Sequence, residues 1–172
     1  MMPALETLSA RLAPLARALP ATVTPLGPTA GAPATPRPAP PDPVQRSDPA
    51  VTGYHLDVTV GAADVASAAG ILDQAGFALD TITGVDWIAQ SEFEVVYDYF
   101  HAASPLRVVI RTRVPRDCPE LPTISPVYPG ANWHEREAHD FFGIRFAGHP
   151  DLSPFLLPED ATYHPLRKDF TA

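Results

Sequence analysis

The chain has 172 residues, 45% of them hydrophobic and 19% charged, which suits one globular domain with a real core. Its formal net charge of -8, with no stripe of Lys and Arg, excludes the phosphate-binding surface that a nucleic-acid partner requires. Cys118 is the only cysteine, so neither an intrachain disulfide nor an iron-sulfur cluster, which needs about four cysteine ligands, can be built within this chain.

Proline divides the sequence. Twelve of the 22 prolines fall in the first 50 residues, which sets a proline-rich leader, 1–50, apart from a more conventional remainder. Within the leader, Leu5, Leu8, Leu12, Leu15 and Leu19 recur at spacings of three and four, which predicts a helix over 4–19, weakened at Pro14. Such a stripe suits either a cover for the chain's own core or a docking helix for a partner groove or membrane surface. Between Pro20 and Pro49 there are few large apolar side chains to offset the entropy of ordering, so this run is expected to be an extended tether.

From Tyr54 the pattern alternates: Tyr54, Leu56, Val58 and Val60 share one face, and His55, Asp57 and Thr59 the other, as in a strand. An alanine-rich helix is predicted over 62–76, with Val65, Ala68, Ala69 and Leu72 on its packed face and Gly76 at its end. Three further strands are predicted, Ala78–Ile88, Phe93–Phe100 and Leu106–Val114, joined by connections short enough for antiparallel pairing. The order β-α-β-β-β gives an α+β class, a mostly antiparallel sheet with one or two packed helices. Five prolines between Pro115 and Gly130 make that stretch a loop or extended arm. Asn132 and Glu135 have capping-box spacing, so a helix is predicted from Trp133 to just before Gly143, closing an α+β domain over 51–142. The remainder, 143–172, is read as an irregular docking tail with one short strand, Ile144–Phe146.

The chemistry of catalysis is missing. His134 and His139 are five apart, turned about 140° from each other on a helix, so they cannot form the i, i+4 zinc pair. His149 and His164 lie in proline-flanked segments that suit hydrogen-bonded loop residues. No nucleophile stands beside Glu135, Glu137 or Asp140, and no phosphate loop, dinucleotide fingerprint or nucleophile elbow is present. What is unusual is Glu135-Arg136-Glu137 next to Trp133, Phe141 and Phe142. Arg136 and Asp140, four apart, are expected to pair along the helix. That leaves Glu135, Glu137 and the aromatic residues either as a self-contained ionic surface or as an interface in which carboxylates meet a partner's arginines.

The run Ala131 to Leu152, ANWHEREAHDFFGIRFAGHPDL, closely resembles the E-R-E-x-x-D-x-[FY]-G-[IV]-x-F-x-G-H-P-D-L stretch of the C subunit of respiratory NADH:quinone oxidoreductase, complex I. So does His164 to Phe170, HPLRKDF, and together the resemblance spans roughly Tyr54 to Phe170. It implies a non-catalytic assembly subunit of the hydrophilic arm, peripheral on the cytoplasmic side of the inner membrane and bound to it only indirectly. The implied partners are a quinone-reacting large subunit and an iron-sulfur small subunit of a proton-translocating complex. It also implies no cofactor in this chain, the FMN and iron-sulfur clusters belonging to the parent complex. The matched positions implied to dock are Trp133, Glu135, Arg136, Glu137, Asp140, Phe141, Gly143, Phe146, Gly148, His149, Pro150, Asp151, His164, Pro165, Arg167, Lys168 and Asp169. One stretch departs from the family: Ser153 to Tyr163 reads SPFLLPEDATY, which is more similar to the equivalent subunit of energy-converting [NiFe] hydrogenases and formate hydrogenlyases. In that alternative the parent complex carries a [NiFe] centre.

Overall fold

Alternation of apolar and charged residues sets the two faces of the sheet. In β4 (Glu92–His101) and β5 (Arg107–Pro115) the side chains of Phe93, Val95, Tyr97, Tyr99, Val108, Ile110 and Val114 are buried on one face. Glu92, Glu94, Asp98, Arg107, Arg111 and Arg113 lie on the other, where charge pairs across strands replace an apolar layer. Arg111 Nε donates to both Asp57 oxygens at 2.9–3.0 Å, Arg113 Nη1 to Glu92 at 3.1 Å, and Arg107 Nη2 to Asp98 at 2.9 Å and to Asp80.

The computed structural model describes residues 2–17 and 42–171. β3 (Phe77–Trp87) pairs antiparallel with β4, and β4 with β5. β2 (Leu56–Thr59) joins β5 in parallel, and β1 (Val44–Arg46) closes that edge antiparallel, giving the order β1-β2-β5-β4-β3. β2 lies between β1 and β5 and all four of its residues are buried, Asp57 being covered while held by Arg111. The expected class, α+β with a mostly antiparallel sheet, is what the chain adopts.

Helices cover the apolar face. A 3-10 turn, Ala62–Asp64, leads into α3 (Val65–Gln74), which buries Val65, Ala68, Ala69 and Leu72. α1 (Met2–Leu12) packs on α3 through Leu5, Leu8 and Leu12, so the leucine stripe covers the chain's own core. It gives way to a 3-10 turn, Ala13–Leu15, at Pro14, which has no N–H to continue an α-helix; Leu19 and the run from 20 to 41 lie outside the described residues. α1, β1 and the single turn α2 (Pro49–Thr52) all precede residue 53. The leader therefore contributes a core helix and an edge strand to the domain, and residue 50 is no structural boundary.

The stretch expected as a loop or arm contains a three-residue strand, β6 (Glu120–Pro122), paired in parallel with β7 (Arg145–Ala147), one residue on from the expected Ile144–Phe146. Between them runs α4 (Ala131–Phe142), packed against β3. Gly84 makes that approach possible: a Cβ there would stand 2.6 Å from the Phe142 ring. α4 starts two residues earlier than the capping box predicts, with Gly130 at its N-cap and no side-chain cap. Asn132 lies inside the first turn, and Glu135 is directed into the core, which removes both halves of the expected reciprocal bond.

Candidate functional site

The E-R-E segment of α4 sends its charges in different directions. Glu135 has no exposed surface; its Oε1 accepts the Ile124 N–H at 2.7 Å and its Oε2 the Thr123 hydroxyl, tying the helix to the chain just after β6. Burial pushes this carboxyl up from its ordinary value, against the pull of the two hydrogen bonds. His149 is enclosed beside it, Nε2 3.8 Å from Glu135 Oε2, while its Nδ1 accepts the Asp151 N–H at 3.1 Å and thereby fixes the ring proton on Nε2. Glu137, two residues on, is exposed.

Arg136 and Asp140 do not pair with each other, contrary to expectation. Arg136 Nε donates to the Ser153 carbonyl at 3.1 Å and Nη2 to the Pro154 carbonyl at 3.1 Å and Ser153 Oγ at 3.3 Å. Its guanidinium also stacks on Trp133 and Phe155, 5.7 and 5.1 Å from the ring centres. Asp140 Oδ2 accepts three successive backbone N–H groups, from Phe155 at 2.9 Å, Leu156 at 2.7 Å and Leu157 at 3.1 Å. Burial raises that carboxyl, but the three N–H groups outweigh it and hold it below its ordinary value. Both side chains serve the tail because the unpaired backbone groups of 153–157 offer stronger, better-aligned partners than an exposed i, i+4 pair.

The end of α4 explains the H-P-L-R segment. A helix leaves its last four carbonyls without helical donors, and here each is taken. His139 O accepts the Gly143 N–H at 2.8 Å, Asp140 O the His164 Nδ1–H at 2.8 Å, Phe141 O the Leu166 N–H at 3.2 Å and Phe142 O the Arg167 Nε–H at 2.8 Å. Gly143, at φ +74°, turns the chain out of the helix. A Cβ there would collide with His164 Nε2 at 2.5 Å and Arg167 Nη2 at 2.6 Å, so glycine is required twice over.

Further along, the Lys168 N–H reaches Asp86 Oδ2 at 2.8 Å, and Arg116 bridges Asp86 at 3.0–3.1 Å to Asp169. Arg116 and Arg167 lie 5.4 and 5.2 Å from the centre of the Phe93 ring. The Asp169 carboxyl is held below its ordinary value, chiefly by its bond from Arg116. Asp86, Phe93, Arg116 and Thr123 were absent from the expected site because their tail and helix partners are distant in sequence, 82 residues away for Asp86 and Lys168.

The expected docking residues therefore divide. Glu135, Asp140, Phe146 and the His149 side chain are turned inward, and Gly143, His164 and Arg167 form the junction of helix and tail. Phe141 and Pro165 are half-buried. Trp133, Glu137, Gly148, Pro150, Asp151, Lys168 and Asp169 are exposed, with Arg136 against the Trp133 and Phe155 rings, which pack on each other at 5.0 Å. Among the described residues no group of three His, Cys, Asp or Glu side chains is placed to hold a metal ion, and no helix is long and apolar enough to cross a membrane.

The model of the family described as respiratory-chain NADH dehydrogenase, 30 Kd subunit, matches residues 58–172. The chain belongs to that family. The C subunit of NADH-quinone oxidoreductase from Roseiflexus castenholzii is 45% identical over 92 residues, 53% of this chain and 53% of that one. The C subunit of F(420)H(2) dehydrogenase from Methanosarcina mazei is 41% identical over 93 residues, 54% of this chain and 59% of its own. The chain thus spans about half the length of the curated relatives it matches. A chain in the structure of the membrane-bound sulfane sulfur reductase, an archaeal respiratory membrane complex, superposes with a TM-score of 0.63 at 31% identity, over 67% of this chain and 71% of that chain. These matches confirm the resemblance to the C subunit of complex I and its homologues.

Proposed function

We propose that this 30 Kd family member is a non-catalytic assembly subunit in the peripheral arm of an NADH:quinone oxidoreductase, where α4 and the tail dock the quinone-reacting large subunit. One observation carries the docking role. Of the eight large hydrophobic side chains exposed among the described residues, six belong to α4 or the tail: Trp133, Phe155, Leu156, Tyr163, Leu166 and Phe170. Exposed apolar side chains that pack in pairs, Trp133 on Phe155 and Tyr163 on Phe170, with an arginine against the first pair, have the make-up of a protein interface. The inward residues Glu135, Asp140 and Arg167 shape that surface, and the exposed ones, Trp133, Glu137, Pro150, Asp151 and Lys168, present it. On this reading the FMN and iron-sulfur clusters belong to neighbouring chains, one of them an iron-sulfur small subunit, and the protein is peripheral on the cytoplasmic side.

A second reading is favoured by the sequence of the Phe155-Leu156-Leu157-Pro158-Glu159-Asp160 link, where the chain departs from the respiratory pattern. Here the same surface docks the large subunit of an energy-converting [NiFe] hydrogenase or formate hydrogenlyase. Purification of the tagged native complex, with mass spectrometry of its partners and assays of NADH:quinone and hydrogenase activity, separates the two. Quinone-reacting and NADH-oxidising subunits are the expected outcome; a [NiFe] large subunit selects the second reading, and a chain recovered without redox partners overturns both.

A further inference from the structure

The free edge of β3 carries backbone groups that the other described residues do not use. The His101 N–H donates to the Leu106 carbonyl and the Arg116 N–H to the Ser91 carbonyl, both at 2.9 Å. Odd-numbered residues of β4 therefore aim their backbone polar groups at β5 and even-numbered ones at β3. Thr83 stands opposite Val96 and Val85 opposite Glu94, so these two face β4, while Ile82 and Gly84 aim N–H and C=O at the open side. Neither has a backbone partner on that side among the described residues.

Sheet edges in soluble proteins are normally blunted by proline, by inward-pointing charge or by a covering element. The Ile82–Val85 stretch has neither of the first two, and α4 covers only its inner flank, through Phe142 over Gly84. Between strand and helix runs a groove of about 150 Å³ lined by Ile82, Gly84, Phe141, Phe142 and Leu166, with Glu137 at its rim. Leu166 is 52% exposed, and Glu137 is exposed and takes part in no ion pair among the described residues.

We propose that this edge accepts one extended segment of a neighbouring subunit, which adds a short strand beside β3. The segment pairs its backbone with Ile82 and Gly84, lays an apolar side chain into the groove against Leu166 and sets a Lys or Arg against Glu137. Backbone pairing supplies the affinity, and the groove with its single carboxylate selects the sequence. The inference rests on the reading that the chain works inside an assembly, and it adds which surface a partner strand uses and what that strand must contain.

Amide hydrogen exchange is compared between the full chain alone and the purified native complex, with a photocrosslinking residue placed at the exposed Thr83 in a parallel preparation. Expected are exchange at Ile82 and Gly84 at least about tenfold slower in the complex, a crosslink from position 83 to one segment containing Lys or Arg, and weakened protection with Glu137→Lys. Equal exchange at Ile82 and Gly84 in the two states, or no crosslink from position 83 in an assembled complex, overturns the inference while leaving the assembly role intact. Failure of the tagged chain to recover any partner overturns the assembly role itself.

Discussion

In the five-stranded sheet, Leu56, Phe93, Val95, Tyr97 and Val108 have no exposed surface, whereas from Gly148 to Thr171 no residue is buried as a whole, although the His149 side chain is enclosed, and none forms a helix or strand. The sheet is held by apolar area removed from water, which tolerates exchange among hydrophobic residues of similar size. The tail is held by named polar groups capturing particular backbone atoms: Asp140 at 155–157, Arg136 at 153–154, His164 and Arg167 at the end of α4, and Asp86 at 168. Such bonds depend on geometry and tolerate little change, because a charged group left without its partner costs more than the net gain of making the bond. A tail of this kind can keep its apolar side chains outside, available to a partner, and still hold one shape.

The most severe test is Phe93→Ala, since Phe93 lies in the core and also beneath Arg116 and Arg167. A loss of about 3–5 kcal/mol is expected, read by denaturant unfolding, with sheet and tail lost in one transition. Two separate transitions would show that the regions are uncoupled. Asp140→Ala removes the acceptor of three N–H groups and is expected to cost about 3 kcal/mol locally. Limited proteolysis should then cut at 154–158 while far-ultraviolet circular dichroism of the sheet stays unchanged; uncut tail would mean that something other than Asp140 holds it.

Acid sharpens the same contrast. The Asp140 carboxyl lies below its ordinary value in the folded chain, so its stabilisation is complete above the unfolded value of about 3.9 and is lost as pH falls through the folded value. Glu135 is shifted upward, so its contribution has the opposite sign, present below about 4.3 and lost as pH rises through its folded value. The Leu156 amide resonance should hold its position while Glu135 titrates and move only below about pH 3.9. Movement near neutral pH would place the tail under the control of another group.

Smaller effects are expected from Arg136→Lys, which keeps the charge but loses the fork to Ser153 and Pro154 and the stacking on two rings, at about 1 kcal/mol. The smallest is Asn132→Ala. With no side-chain cap at α4, thermal unfolding should shift by less than about 0.5 kcal/mol, where a working cap would cost about 1.

Local pattern determined much of this protein. The periodicity of 54–114 placed β2, α3, β3, β4 and β5 to within a few residues, and the buried face of α3 was readable residue by residue, because burial on one face imposes periods of two and 3.6. The E-R-E segment was legible as special because charge of that density beside aromatic residues has no place on an ordinary solvated helix, whereas the H-P-L-R segment stood out only by its resemblance to the family. Their direction was not legible. Whether Glu135 faces a partner or Thr123, and whether Arg136 meets Asp140 or the carbonyls of 153–154, depends on segments up to 18 residues away being brought alongside α4. Likewise Asp86 meets Lys168 across 82 residues, and β2 lies parallel to β5 only after the chain has passed through α3, β3 and β4. Sequence spacing governs contacts within one element; the competition among acceptors for the same donor is decided by which elements pack side by side, and that is a property of the folded chain alone.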